Sequence, residues 1–190
     1  MLRCLPVIFL LHCSVFAQTD SLITKYLKVS KDYADIEKLI EILGDNALQN
    51  HQFDFVPTIN PLNPDRLKRF SSGFGKRFDP YSGELTRHLG LDISAKAGTP
   101  IHAAASGIIK FTKNATTGYG NQVIIEHDYG FTTRYAHMYL FIVEKGQAVR
   151  KGDIIGYVGN TGKSTNNHIH YEISKNGKKI DPYPFCFLED

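Results

Sequence analysis

The chain has 190 residues, with 22 Lys and Arg against 19 Asp and Glu and a formal charge of +3. The length allows one domain with a real core and some appendage. So mild a charge, one unit lower still at +2 without Arg3, argues against nucleic acid as a partner and is compatible with an anionic polymer.

The chain opens MLRCLPVIFLLHCSVFAQTD. Arg3 gives a short positive region, Leu5 to Phe16 is an apolar run interrupted by His12, and Val15 and Ala17 are small residues at −3 and −1 from Gln18. This pattern predicts a secretory signal peptide over residues 1–17 and an exported protein, periplasmic or extracellular. The run falls short of the ~20 residues of a spanning helix, so no membrane span is expected in the mature chain. His12 is too bulky for the small residue that a lipoprotein site before Cys13 requires. Cys4 and Cys13 are expected to leave with the signal, so no disulfide within the mature chain is expected, and the fold rests on its core or on a metal.

Residues 18–44 read as a helical N-terminal region. Leu22, Tyr26 and Val29 recur at i, i+4, i+7, and Ile36, Leu39, Ile40 and Leu43 at i, i+3, i+4, i+7, with Gly44 as a stop and Ser30 or Asp32 as a cap within the stretch. Its amphipathic character suits self-association or docking of a regulatory protein partner. Residues 45–70, with prolines at 57, 61 and 64, read as an extended linker or strap over the domain behind it, and together with the helical region it stands where it would cover the groove and restrain activity.

From residue 71 to 190 the texture is β. GIIKFTKN, NQVIIEHD, FTTRYAHM, DIIGYVG and HIHYEISK alternate or pack β-branched residues, and Gly-rich turns separate them. Asn176-Gly177 is a type I′ hairpin signal. The fold class expected is mainly β: an antiparallel sheet of sandwich or barrel type preceded by short helices.

Three clusters carry chemistry: His88 and Asp92 in HLGLD, His137 in RYAHM, and His168 and His170 in HIHYEI. Separation by four puts His88 and Asp92 on one face of a helix or a strand, and Gly90 favours strand or loop. His168 and His170, at i and i+2, share a strand face. A catalytic zinc takes about three protein ligands and leaves one position open. His88, Asp92 and one histidine of the pair supply three; the other and His137 then sit beside the metal, one to take a proton from water and one to donate to a developing oxyanion.

At these residues the sequence resembles the lysostaphin-type (LytM-type) zinc metallopeptidases, which cut peptide cross-links in peptidoglycan. The resemblance runs in order through SSGFGKRFDPYSGELTRHLGLDI, AGTPIHAAASGII, YGNQVIIEHDYGFTTRYAHM, KGQAVRKGDIIGYVGNTGKST and HIHYEISKNGKKIDP. It implies one zinc ion bound by His88, Asp92 and His170, catalytic roles for His137 and His168, a peptidoglycan peptide as substrate, and a compact β fold with a groove. Where the family usually has glycine after the last ST, this chain has Asn166, a residue that tolerates left-handed backbone. With no recognisable wall-binding repeat, the reading favours a cross-link endopeptidase of a Gram-negative envelope. The alternative is a non-catalytic regulator of the same fold that activates a separate hydrolase; the full set of ligand and catalytic positions weighs against it.

Other features carry less. GNTGKST lacks the first glycine of a phosphate loop, since position 157 is tyrosine. GQAVRKGDIIG resembles a lipoyl or biotinyl carrier hairpin, but Lys110 and Lys113 lack the flanking context. His127 reads as a structural hydrogen-bonding histidine, and His51 and His102 have no spaced partners. Glu172 reads either as a carboxylate that orients a ligand or as a solvated rim group. Arg77, Asn121 and Tyr135 line the groove or serve packing and turns.

Overall fold

Local chemistry sets the N-terminal elements. Among the residues described by the computed structural model (18–62, 69–79 and 82–188), residues 18–29 form helix α1 and Tyr33–Leu43 helix α2. The signal segment expected over residues 1–17 lies outside the described residues. Asp32 caps α2 by accepting from the Asp35 N–H, and Asp35 reciprocates at the Lys31 N–H. Gly44 ends the helix at φ 75°, its N–H donating to the Ile40 carbonyl. Ser30 bonds back to the Leu27 carbonyl instead of capping. The face that α1 buries is Ile23 and Leu27, with Tyr26 partly buried, whereas Leu22 and Val29 are 62% and 65% exposed. The expected Leu22–Val29 stripe is therefore displaced by one position: Ile23 and Leu27 are the residues that join the core of the sheet.

Among the described residues twelve strands follow: β1 (Arg69–Ser72), β2 (Gly75–Phe78), β3 (Leu85–His88), β4 (Leu91–Ser94), β5 (Pro100–His102), β6 (Gly107–Lys113), β7 (Asn121–Glu126), β8 (Phe131–Phe141), β9 (Ala148–Val149), β10 (Ile154–Val158), β11 (His168–Lys175) and β12 (Lys178–Ile180). Ten join one antiparallel sheet with the path β1-β4-β11-β8-β7-β6-β9; β10 pairs with β5 and β8, β12 pairs with β11, and β2–β3 form a separate hairpin. Asn176 and Gly177 both take positive φ (49° and 78°) in the two-residue turn from β11 to β12. Central β11 sends Ile169, Tyr171 and Ile173 into the core with Leu91, Ile93, Val123 and Ile125, and presents His168, His170 and Glu172 on its other face.

The N-terminal segment shares that core. Ile23, Leu27, Ile36, Leu39, Phe53, Val56 and Leu62 belong to the same buried cluster as the sheet. Residues 45–62 contain two short 3₁₀ turns, Ala47–Gln49 and His51–Phe55. At the end of β11, buried Lys175 donates to the Leu27 carbonyl (2.9 Å) and to that of Tyr129, so an ammonium sits on the carbonyl end of α1.

A buried polar chain pins β6, β7 and β8 together. The Ala104 N–H donates to Tyr135 Oη (2.8 Å), the Tyr135 and Thr133 hydroxyls are 3.0 Å apart, Thr133 Oγ1 lies 2.8 Å from His127 Nε2, and His127 Nδ1–H donates to the Ser106 carbonyl (2.8 Å). A neutral imidazole satisfies every member, which gives His127 the structural role read from its sequence position and makes Tyr135 a core residue. Burial lowers the His127 pKa from 6.5 to about 4. Below pH 6.5 the unfolded chain then binds a proton that the native chain refuses, so stability present above 6.5 is lost as pH falls towards 4, by on the order of 3 kcal/mol. Urea melts at pH 7.5 and pH 5 should show about 2 kcal/mol of that loss in the wild type and a smaller one in His127→Gln; parallel losses would remove His127 as the cause.

Candidate metal centre

Register builds the site. His170 on β11 pairs directly with Asp92 on β4 and with Ala136 on β8, so neighbours from three strands meet at one point. His88 arrives from the end of β3, and the chain reverses through Leu89 and Gly90 before Asp92, so the pair sits on two successive strands. Only glycine fits that reversal: a Cβ at Gly90 would lie 2.5 Å from the Tyr171 carbonyl oxygen and 2.9 Å from the His170 ring. His137 is aimed by a bulge. Between the pairs Asn121↔Met138 and Val123↔Tyr135, β8 carries one residue more than β7, and His137 takes φ 59°. A left-handed histidine is uncommon and costs energy, which the Tyr119 carbonyl offsets by accepting the His137 N–H (2.9 Å).

His88 Nε2, Asp92 Oδ1 and His170 Nδ1 lie 3.2, 2.9 and 3.0 Å from one another, and all three residues are buried. The outward nitrogens are already committed. His88 Nδ1–H donates to the Gly73 carbonyl (2.7 Å) and His170 Nε2–H to Glu172 Oε1 (3.0 Å). Two imidazole lone pairs and a carboxylate oxygen thus face each other, with no proton left among them when both rings are neutral. Three acceptors so close repel unless a cation lies between them. Ligands at 2.0–2.1 Å from a tetrahedral zinc stand about 3.3 Å apart, so the donor set fits a zinc-type ion. Burial would raise the Asp92 pKa, but the facing His170 and His88 outweigh it and hold the carboxylate ionised well below its usual range. Arg77 adds a bond to Asp92 Oδ2 (3.3 Å).

His137 and His168 complete the ring, their centroids 4.8 Å apart and that of His137 6.0 Å from His170. His137 Nδ1–H donates to the Thr161 carbonyl (2.7 Å), and burial, the largest cause, with the charges of His168 and His170 lowers its pKa to about 4. His168 Nδ1–H donates to the Asn166 carbonyl (2.8 Å), leaving Nε2 3.8 Å from Asp92 Oδ1. Asn166 acts through its backbone, and the left-handed non-glycine residues among those described are Tyr129, His137 and Asn176, so the tolerance expected of Asn166 is not called on. All five candidates line one groove of about 520 Å³, with Arg77, Tyr119 and Lys163. None of residues 18–62 lines it, so the helices do not cover the groove.

Glu172 corrects the rim reading. It is fully buried; its carboxylate accepts from His170, from Tyr119 Oη (2.7 Å) and from Lys179 Nζ (2.5 Å), and it forms an ion pair with Arg134, whose Nε lies 3.1 Å away. Burial alone would raise its pKa; the donors, His170 and Lys179 first, bring it down to about 2. The alternation HxHxE signals the shared face, but nothing local marks Tyr119, which comes from a Gly-flanked turn 53 residues earlier. Asn121 serves that turn, accepting from the Ala115 N–H and donating to the Tyr139 carbonyl.

The chain is similar to known proteins. The DD-carboxypeptidase/endopeptidase Mpg of Neisseria meningitidis serogroup B is 46% identical over 121 residues, 64% of this chain and 28% of that protein. The peptidoglycan DD-endopeptidase ShyA of Vibrio cholerae is 37% identical over 118 residues, 62% of this chain and 27% of that one. The chain thus spans under a third of the length of these relatives. The catalytic domain of the antimicrobial peptidase lysostaphin from Staphylococcus simulans superposes with a TM-score of 0.56 at 32% identity, over 62% of this chain and 91% of that domain. Residues 86–182, which contain all five candidate residues, match Peptidase family M23, and the chain belongs to that family.

Proposed function

We propose that the protein is an exported zinc-dependent endopeptidase that hydrolyses peptide cross-links or stem peptides of bacterial peptidoglycan. The observation that carries the proposal is the convergence of three lone-pair donors at about 3 Å, with two further imidazoles in the same groove. The names of Mpg and ShyA support the substrate class, and the N-terminal signal pattern supports export. Among the described residues no helix is long and apolar enough to cross a membrane.

His88, Asp92 and His170 would hold the ion, which supplies Lewis acidity: it polarises a peptide carbonyl and acidifies a water molecule. The chain's own residues do the rest. His137, with Nδ1–H held by Thr161, turns the Nε2 lone pair into the groove and is neutral at neutral pH. His168, tethered through Nδ1 at Asn166, presents Nε2 beside Asp92. Between them they take the proton from the attacking water and donate to the oxygen on which charge develops. The β2–β3 hairpin and the loop at Lys163 wall the groove, and the Asp79–Lys163 ion pair (3.1 Å) spans between them.

Digestion of isolated peptidoglycan, with mass analysis of the released muropeptides, tests the proposal. Stem-peptide bonds should be cut, a chelator should stop cleavage, and added zinc should restore it. Stoichiometric zinc without any cleavage would favour the regulator reading, and absence of both would sink the metal reading.

A further inference from the structure

The carboxylate of Glu172 lies fully buried behind His170. Its two oxygens divide the work: Oε1 faces His170 Nε2 and Tyr119 Oη, and Oε2 faces the two cations, Lys179 and Arg134. Arg134 also stacks over the Tyr119 ring (4.2 Å to the centroid) and donates to Gln122 (2.8 Å), which pins it. Tyr119 in turn reaches both sides of the site: its hydroxyl bonds Glu172 and its carbonyl receives the His137 N–H.

We propose that Glu172 is a positioning residue that fixes His170 as the Nε2–H tautomer, so that Nδ1 faces the ion, and that through Tyr119 it ties the ion corner to the bulge that aims His137. The inference rests on the metal reading above. An imidazole offers one lone pair when neutral, and the partner of its other nitrogen decides which. Here Nε2 faces Glu172 Oε1 at 3.0 Å, whose carboxylate is anchored through its other oxygen by Lys179 and Arg134, and this fixed acceptor takes the Nε2 proton while Nδ1 faces Asp92 and His88 across the ion corner.

The replacement Glu172→Gln makes the idea sharp. An amide facing Lys179 and Arg134 with its oxygen must face His170 and Tyr119 with its NH₂. That group donates to His170 Nε2, which moves the ring proton to Nδ1, where it points at Asp92 Oδ1 and blocks the corner. Tyr119→Phe removes one donor to Glu172 and leaves the carboxylate on His170.

Two measurements on the full chain test this: zinc affinity by competition with a chromophoric chelator, and nitrogen-15 NMR of the histidine rings at alkaline pH without ion. Glu172→Gln should weaken zinc by about 10–100-fold and shift the His170 proton to Nδ1. Tyr119→Phe should keep the proton on Nε2 and lower kcat with little change in KM. Unchanged affinity in folded Glu172→Gln overturns the inference. So does wild-type His170 protonated on Nδ1, a measurement that needs no variant to fold. A wild type without zinc affinity would end the metal reading, and the position of the His170 proton would still judge the role of Glu172.

Discussion

His170→Ala should abolish zinc binding and cleavage together, whereas His168→Ala should keep its zinc and lose turnover by roughly 10²–10⁴-fold. Both histidines lie on the same face of β11, two residues apart, yet their surroundings differ. His170 Nδ1 stands 2.9 Å from Asp92 Oδ1 and 3.0 Å from His88 Nε2, inside the donor triangle. His168 Nε2 stands 3.8 Å from that carboxylate oxygen, at the triangle's side. Removing His170 leaves two ligands where a zinc site needs about three from the protein. Removing His168 leaves all three and takes away one imidazole that moves a proton. Metal content after purification and digestion of purified sacculi separate the two cases. Wild-type cleavage by His168→Ala, or stoichiometric zinc in His170→Ala, would reverse the role assignment.

Deleting residues 18–62 should unfold the domain rather than release its activity. The position of this segment ahead of the β region suggested a cover over the groove, but its apolar side chains lie in the core and none of its residues borders the groove. Seven of them are buried there, each contributing about 1.5 kcal/mol or more. Their combined loss rivals the 5–15 kcal/mol that holds a typical domain together. The deletion also strips the carbonyls of Leu27 and Lys28 from Lys175, an ammonium that burial already makes harder to keep charged. Thermal melting by circular dichroism should lose its cooperative transition, and cleavage should fall to background. A cooperatively folded truncate that cuts as fast as the full chain would show the helices to be dispensable.

Between them the two experiments divide the molecule. The first probes residues whose chemistry is written in short motifs, the second a segment whose importance depends on where it packs. His88, Asp92, His168 and His170 stand out because their residue types and spacings are local properties. The same is true of the strands around Ile109, Val123, Tyr135, Ile155 and Ile169, and of the Asn176-Gly177 turn. A period of two and a turn that needs positive φ are visible within a few residues, so sequence alone determined the β class and the candidate donors.

Tertiary structure decided the rest. The pairing of His170 with Asp92 joins residues 78 apart, and no periodicity encodes a register of that span. The bulge that turns His137 into the groove exists only because β8 must pair with β7 while carrying an extra residue. Glu172 would be a solvated carboxylate on an isolated strand; Tyr119, Arg134 and Lys179, brought from three other segments, bury and ionise it. The face of α1 was likewise settled by the sheet it meets, which takes Ile23 and Leu27 and leaves Leu22 outside. In each case the deciding interaction is long-range burial or pairing, whose free energy belongs to two distant segments at once and so to neither one read alone.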